Sequence, residues 1–156
     1  MASRRAARVR QKARRPGCAS SDGAPRVVAT LPGIPPQAAG LFESLRTEDA
    51  GDLDALSRAV DAHARRFFHE AVTSEAIDLT SVLAAQRASH TLLALARDAG
   101  PEARQTAAAA VRYFLHEDDG AWDFTVDGLV DDLAVLDAAL TSLRAAGREE
   151  AAAIEG

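Results

Sequence analysis

Five leucines near the C-terminus limit the choice of fold more than any other pattern, because their positions alternate between steps of four and three residues. They are Leu129, Leu133, Leu136, Leu140 and Leu143. An α-helix repeats every 3.6 residues, so this spacing places all five side chains on one face of a helix. The face must be covered by the rest of the chain or by a second copy in a homodimer. The series spans barely two to three heptads, which favours the core of the monomer.

Other segments show helical signals as well. A brief helix is expected around Leu41, Phe42 and Leu45, and a second begins after Asp52, whose carboxylate is a suitable N-cap. A third runs from about Asp78 to Ala99, with Leu79, Val82, Leu83, Gln86, Leu93 and Ala96 on its core side. Gly100 is predicted as a left-handed stop, and Pro101 as the first position of an alanine-rich fourth helix.

Composition agrees with these helices. Alanine and leucine are abundant and β-branched residues few, so we predict an all-α bundle of four to five helices spanning residues 37–147. Residues 1–36 are predicted to be a disordered basic tail rich in Pro and Gly. Gly147 is predicted to end the last helix, which leaves residues 148–156 as a frayed end.

The same composition limits the cellular location. Cys18 is the single cysteine, so no intramolecular disulfide can form, and a reducing cytoplasm is the default expectation. No apolar run approaches the ~20 residues of a membrane helix, and the N-terminus lacks the apolar region of a signal peptide. The sequence therefore predicts a cytoplasmic protein without a transmembrane segment.

Residues 113–133, here called the acidic segment, hold the sole Tyr and the sole Trp among many carboxylates. No Lys or Arg occurs between Arg112 and Arg144. Part of this charge fits a helix start, because Asp131 and Asp132 fall in the first turn of the last helix and there complement its dipole. The residues expected to form a structural cap or docking surface are Tyr113, Asp119, Trp122, Asp123, Phe124, Asp127, Gly128, Asp131 and Asp132.

Binding of a divalent cation is the more specific alternative function for this segment. From Asp123 the sequence partly matches a calcium loop, with Asp127 and Asp131 at its fifth and ninth places and Gly128 at its sixth. The twelfth place, which needs a bidentate Glu, holds Ala134. The candidate ligands Asp123, Asp127 and Asp131 therefore predict weak cation binding at most, and no other cofactor is implied.

Catalysis finds little support in the sequence. None of the four histidines has a Glu three residues before it, as a di-iron bundle requires, and a single Cys excludes the zinc-finger patterns. His63 and His90 are expected at the helix surface or partly buried. The carboxylates could serve acid–base hydrolysis, but nothing marks a nucleophile elbow or a phosphate loop. The balance favours a non-enzymatic protein.

The order of residues in the acidic segment resembles the YkvA-like family, a small bacterial domain of unassigned function. The matching positions are Tyr113, Phe114, Leu115, Asp119, Asp123, Phe124, Gly128, Asp131, Asp132 and Leu133. The prolines of the family signature are absent, and Glu117, Trp122, Val126 or their neighbours stand in their place. The resemblance implies a structured loop between two helices and assigns no reaction.

The basic charge is concentrated at the N-terminus. Residues 1–26 carry eight basic side chains and one acidic one, which is a net charge of +7. Because the whole chain has a net charge of −5, residues 27–156 carry a net charge of −12. Nucleic acid is one candidate partner for this tail, through Arg4, Arg5, Arg8, Arg10, Lys12, Arg14 and Arg15. A solvated tail that clamps on the acidic body is the other reading. The function predicted overall is an interaction or scaffold module with a protein partner.

Overall fold

The computed structural model describes residues 31–73, 77–116 and 129–154. These residues form a bundle of five helices without strands, as the sequence predicts. The helices are α1 Pro36–Arg46, α2 Leu53–Glu70, α3 Leu79–Arg97, α4 Pro101–Leu115 and α5 Val130–Ile154. In the described part of the chain, no helix is long and apolar enough to cross a membrane.

Residues close to the starts of α2, α3 and α4 explain where these three helices begin. The Asp52 carboxylate accepts a hydrogen bond from the Asp54 backbone N–H at 2.8 Å, and the Asp78 carboxylate accepts one from the Thr80 N–H at 2.9 Å. Such bonds satisfy first-turn N–H groups that have no partner within the helix. Pro101 is the first residue of α4, where its missing N–H costs nothing. These starts confirm the sequence-based predictions.

The central helix is α4, which packs against each of the other four helices. All residues from Thr106 to Val111 are buried, with at most 4% of their surface exposed. A helix that is buried all round needs small side chains so that its neighbours can approach closely. The run of four alanines from Ala107 to Ala110 meets this need.

Polar pairs show that α2 and α3 run antiparallel. Arg97 near the end of α3 pairs with Asp54 at the start of α2, while His90 pairs with Asp61 further along. Each step forward on one helix is thus a step back on the other. The short connection at Gly100 then turns the chain into α4.

The leucine series belongs to the core of the monomer. Leu136 is fully buried, and Leu129, Leu140 and Leu143 expose 6–8% of their surface. Leu133 is partly buried against the same core. The five leucines therefore pack within the bundle, and the homodimer through them stays a prediction. The helix also continues through Gly147 to Ile154, so the prediction that Gly147 ends it is wrong.

Three further expectations need correction. Gly100 has φ −64° and is extended, not left-handed. Leu79 and Leu83 are 37% and 38% exposed, because the buried face of α3 is formed instead by Val82, Ala85, Ser89, Leu92, Leu93 and Ala96. Leu31 and Ile34 pack against the core, so packed structure begins before residue 37.

Candidate functional site

Most of the acidic segment lies outside the described residues. This holds for Asp119, Trp122, Asp123, Phe124, Asp127 and Gly128, and also for the basic residues between Arg4 and Arg15. The two ends of the segment are described. On α4, Tyr113 is half-buried against the core and Phe114 is 2% exposed; before α5, Leu129 is 6% exposed. Buried side chains therefore anchor the acidic segment at both ends.

Asp131 and Asp132 stand in the first turn of α5, as predicted. The Asp131 carboxylate accepts a hydrogen bond of 2.9 Å from the side-chain amide of Gln37 on α1. Both charges lie near the positive end of the helix dipole, where carboxylates are stabilising. The bond to Gln37 ties the end of the acidic segment to the first helix.

Within the described residues, no group of three or more His, Asp, Glu or Cys side chains is placed to hold a metal ion. Of the three candidate ligands, Asp131 alone falls in this part of the chain. The cation hypothesis through Asp123 and Asp127 therefore stays a prediction.

The structure buries His63 more deeply than the sequence suggested, leaving 7% of its surface exposed. Its ring meets those of Phe67 and Phe114 edge to face, with centroids 5.0 and 4.9 Å away. Edge-to-face contacts of this kind hold three rings in a fixed arrangement. The signal was present in the sequence, because His63 lies between Val60 and Phe67 at helical spacing on the buried stripe of α2.

A polar network links α2 to α3. His90 contacts the Asp61 carboxylate through Nε2 at 2.8 Å and the Ser57 hydroxyl through Nδ1 at 3.1 Å. The side-chain amide of Gln86 donates a third bond, of 2.9 Å, to the same Asp61 oxygen. The bonds from Gln86 and His90 favour the charged carboxylate, so they lower the pKa of Asp61 despite partial desolvation. Nothing in the sequence indicates these pairings, because the partners lie 25–33 residues apart along the chain.

Ser57, His90 and Asp61 are the residue types of a hydrolytic triad, but their setting differs from that of a hydrolase. All three lie within regular helix, where backbone N–H groups bond to carbonyls one turn earlier. Those N–H groups are unavailable to stabilise an oxyanion, which normally contributes the largest single part of acyl-transfer catalysis. The arrangement is suited to clamping two helices together.

Arg112 holds the connection between α1 and α2. Its guanidinium donates to the backbone carbonyls of Asp49 at 2.7 Å and Ala50 at 3.1 Å, and lies 3.6 Å from the Glu48 carboxylate. The next residue, Gly51, has φ +68°, a left-handed conformation that favours glycine. Arg112 therefore fixes a turn that the local sequence alone would leave loose.

An open cleft of about 570 Å³ lies where the α3–α4 turn meets the C-terminal half of α5. Its apolar lining consists of Leu31, Leu95, Ala99, Ala103, Leu143 and Ala146, with Gly100 and Gly147 beside them. Its polar lining consists of Arg46, Asp98, Glu102, Thr106 and Ser142. Leu95 leaves 43% of its surface exposed at this cleft. The lining comes from separate parts of the chain, so the sequence gave no signal for this cleft.

Comparisons with family models, with curated proteins and with solved structures gave no match to this chain. The resemblance to the YkvA-like family therefore stays a prediction.

Proposed function

We propose that this chain is a non-enzymatic interaction module that presents its acidic segment to a basic protein partner. The observation that carries the proposal is the anchoring of this segment at both ends, by Phe114 on one side and Leu129 on the other. The hydrogen bond from Gln37 to Asp131 adds a third attachment. A segment whose ends are already fixed loses less conformational freedom on binding.

Charge supports the choice of partner. The acidic segment contains seven carboxylates and no basic side chain. Clustered like charges repel one another, and a basic partner relieves this repulsion while steering the encounter. In the proposal Asp119, Asp123, Asp127, Asp131 and Asp132 present charge, and Trp122 and Tyr113 pack beneath them.

The polar network of α2 and α3 supports the non-enzymatic part. Its serine, histidine and aspartate are engaged with one another across two helices, whose backbone N–H groups at these positions are already bonded within the helices. We further propose membership of the YkvA-like family and a cytoplasmic location in a bacterium, on the sequence grounds already given.

Two charge-matched variants of the full chain test the proposal. One replaces Asp118, Asp119, Asp123 and Asp127 by Asn. The control replaces four exposed carboxylates elsewhere, Asp49, Glu70, Asp137 and Glu149, by their amides. Each variant removes the same charge, so net charge cannot explain a difference between them.

The probe is a panel of lysine- and arginine-rich peptides, titrated at two salt concentrations by isothermal calorimetry. We expect the wild type and the control variant to bind and the segment variant to lose affinity by about tenfold or more, because each lost charge pair contributes up to about 1 kcal/mol. Equal loss in both variants would mean that the peptides sense only overall charge, and the proposal would fail.

A further inference from the structure

The cleft beside the α3–α4 turn is separate from the acidic segment and has the dimensions of a ligand site. Its volume of about 570 Å³ falls within the range of small-molecule sites, about 300–1,000 Å³. Such sites combine a mostly apolar wall with a few polar groups that fix orientation. Here Leu31, Leu95 and Leu143 supply the apolar wall.

The charged groups at the cleft indicate the sign of the ligand. Asp98 caps the end of α3, and Glu102 stands in the first turn of α4, so both carboxylates lie on the same turn. Both residues are exposed, and among the described residues neither has a hydrogen-bonded or ion-paired partner for its carboxylate. Arg46, the one basic side chain of the lining, is already paired with Glu43, at 3.5 Å between Nε and Oε2.

We propose that this cleft binds a small amphipathic organic cation, with an apolar body against the leucines and an ammonium or guanidinium group between Asp98 and Glu102. Charge complementarity selects this class, because the two carboxylates are unpaired while the arginine is neutralised by its own neighbour. The turn between α3 and α4 supplies both carboxylates to the lining, and the apolar body displaces water from Leu95.

Three compounds that differ only in their terminal group test the assignment on the full chain. They are 4-phenylbutylamine, 4-phenylbutan-1-ol and 4-phenylbutyrate, and binding is followed by calorimetry and by shifts of backbone amide resonances. We expect the amine to bind about fivefold more tightly than the alcohol, the effect of two partly screened ion pairs, and the carboxylate to bind most weakly. The shifted resonances should map to residues 95–106 and 142–147.

Variants then separate charge from shape. Asp98→Asn with Glu102→Gln should reduce the amine to the affinity of the alcohol while leaving the alcohol unchanged. Ala146→Trp should fill the cleft and weaken all three compounds, whereas Ala62→Trp on exposed α2 surface should weaken none. Both exposed alanines tolerate a larger side chain, and thermal melts verify that each variant folds.

The basic side chains of residues 4–15 could compete with the amine for the cleft. The titrations are therefore repeated on a variant in which Gln replaces every Arg and Lys of residues 4–15. Tighter binding of the amine in that variant supports the site and identifies the competitor. Equal affinity for all three compounds in both backgrounds would overturn the choice of a cation. Binding that survives Ala146→Trp would overturn the location.

Discussion

Ser89 offers a direct test of how this core is packed, because its hydroxyl is buried and has no hydrogen-bond partner in the part of the chain that the structure describes. The residue lies in the middle of α3 with 0% of its surface exposed, and among the described residues its Oγ has no hydrogen bond. A buried polar group without a partner loses its water and gains nothing in return, a cost of about 1–3 kcal/mol. Ser89→Ala removes that group and keeps the side chain small.

The magnitude follows from three contributions. The largest contribution is the removal of the buried, unpaired hydroxyl. The better helix propensity of alanine adds about 0.5 kcal/mol. Against these stands the small void left by one oxygen atom, which loses some dispersion contacts. We expect the free energy of unfolding to rise by about 1 kcal/mol, which raises the Tm by about 3 °C in a chain of this size.

Urea denaturation followed by circular dichroism measures the change. With an m-value of about 2 kcal/mol/M, the midpoint should move up by about 0.5 M while m stays constant. Ser81→Ala is the matched control on the same helix, since its hydroxyl donates to the Asp78 carboxylate at 2.7 Å. It gains the same propensity but loses a bond, so its stability should stay at or below that of the wild type. A Ser89→Ala protein no more stable than the wild type would refute the reasoning.

Four further outcomes are expected. Gly51→Ala should lower the free energy of unfolding by about 1–2 kcal/mol, because φ is +68° and the new Cβ would lie 3.3 Å from the Arg112 guanidinium. In the same urea assay Gly40→Ala should raise it by about 0.5–1 kcal/mol, because a Cβ on this residue of α1 meets open space. The folded pKa of Asp61 lies below its ordinary value, so its charge stabilises the fold above the ordinary pKa and that stabilisation is lost as the pH falls through the folded value. Asp61→Asn should therefore destabilise at neutral pH and progressively less below about pH 4, and a constant difference across an acid titration would contradict this. Millimolar calcium, magnesium or manganese should leave the Tm unchanged, since Ala134 stands where a calcium loop needs Glu; a rise with any one ion would support the metal hypothesis. Replacing the basic residues of 4–15 by Gln should remove any salt-dependent binding of duplex DNA, and equal binding by both proteins would exclude the tail as its cause.

The number and the starts of the helices could be predicted because their causes are local. Asp52 and Asp78 cap their helices through N–H groups two residues away, and Pro101 fits the first helical position. Apolar side chains at three- and four-residue steps then identify buried faces such as that of α2. Each of these signals acts within one or two turns, so an isolated sequence carries it in full.

The predictions that were wrong depend on contacts between segments that are distant in the sequence. Leu79 and Leu83 satisfy helical spacing as well as Val82 and Ala85 do, and only the direction from which α4 and α5 approach decides which set is buried. Gly147 is typical of a helix end, yet α5 passes through it. A glycine costs a helix about 1 kcal/mol relative to alanine, an amount that tertiary packing readily offsets.

By itself the sequence determined an all-α bundle, the starts of its helices and the segregation of basic and acidic charge. Only the tertiary structure decided that the leucine series packs into the core, that Asp61 meets His90, and that Asp98 and Glu102 border an apolar cleft. The physical reason is the distance along the chain over which each interaction acts. Hydrogen bonds and side-chain spacing along one helix are fixed by neighbours in sequence, whereas a cleft or an interhelical pair exists only after distant segments have packed together.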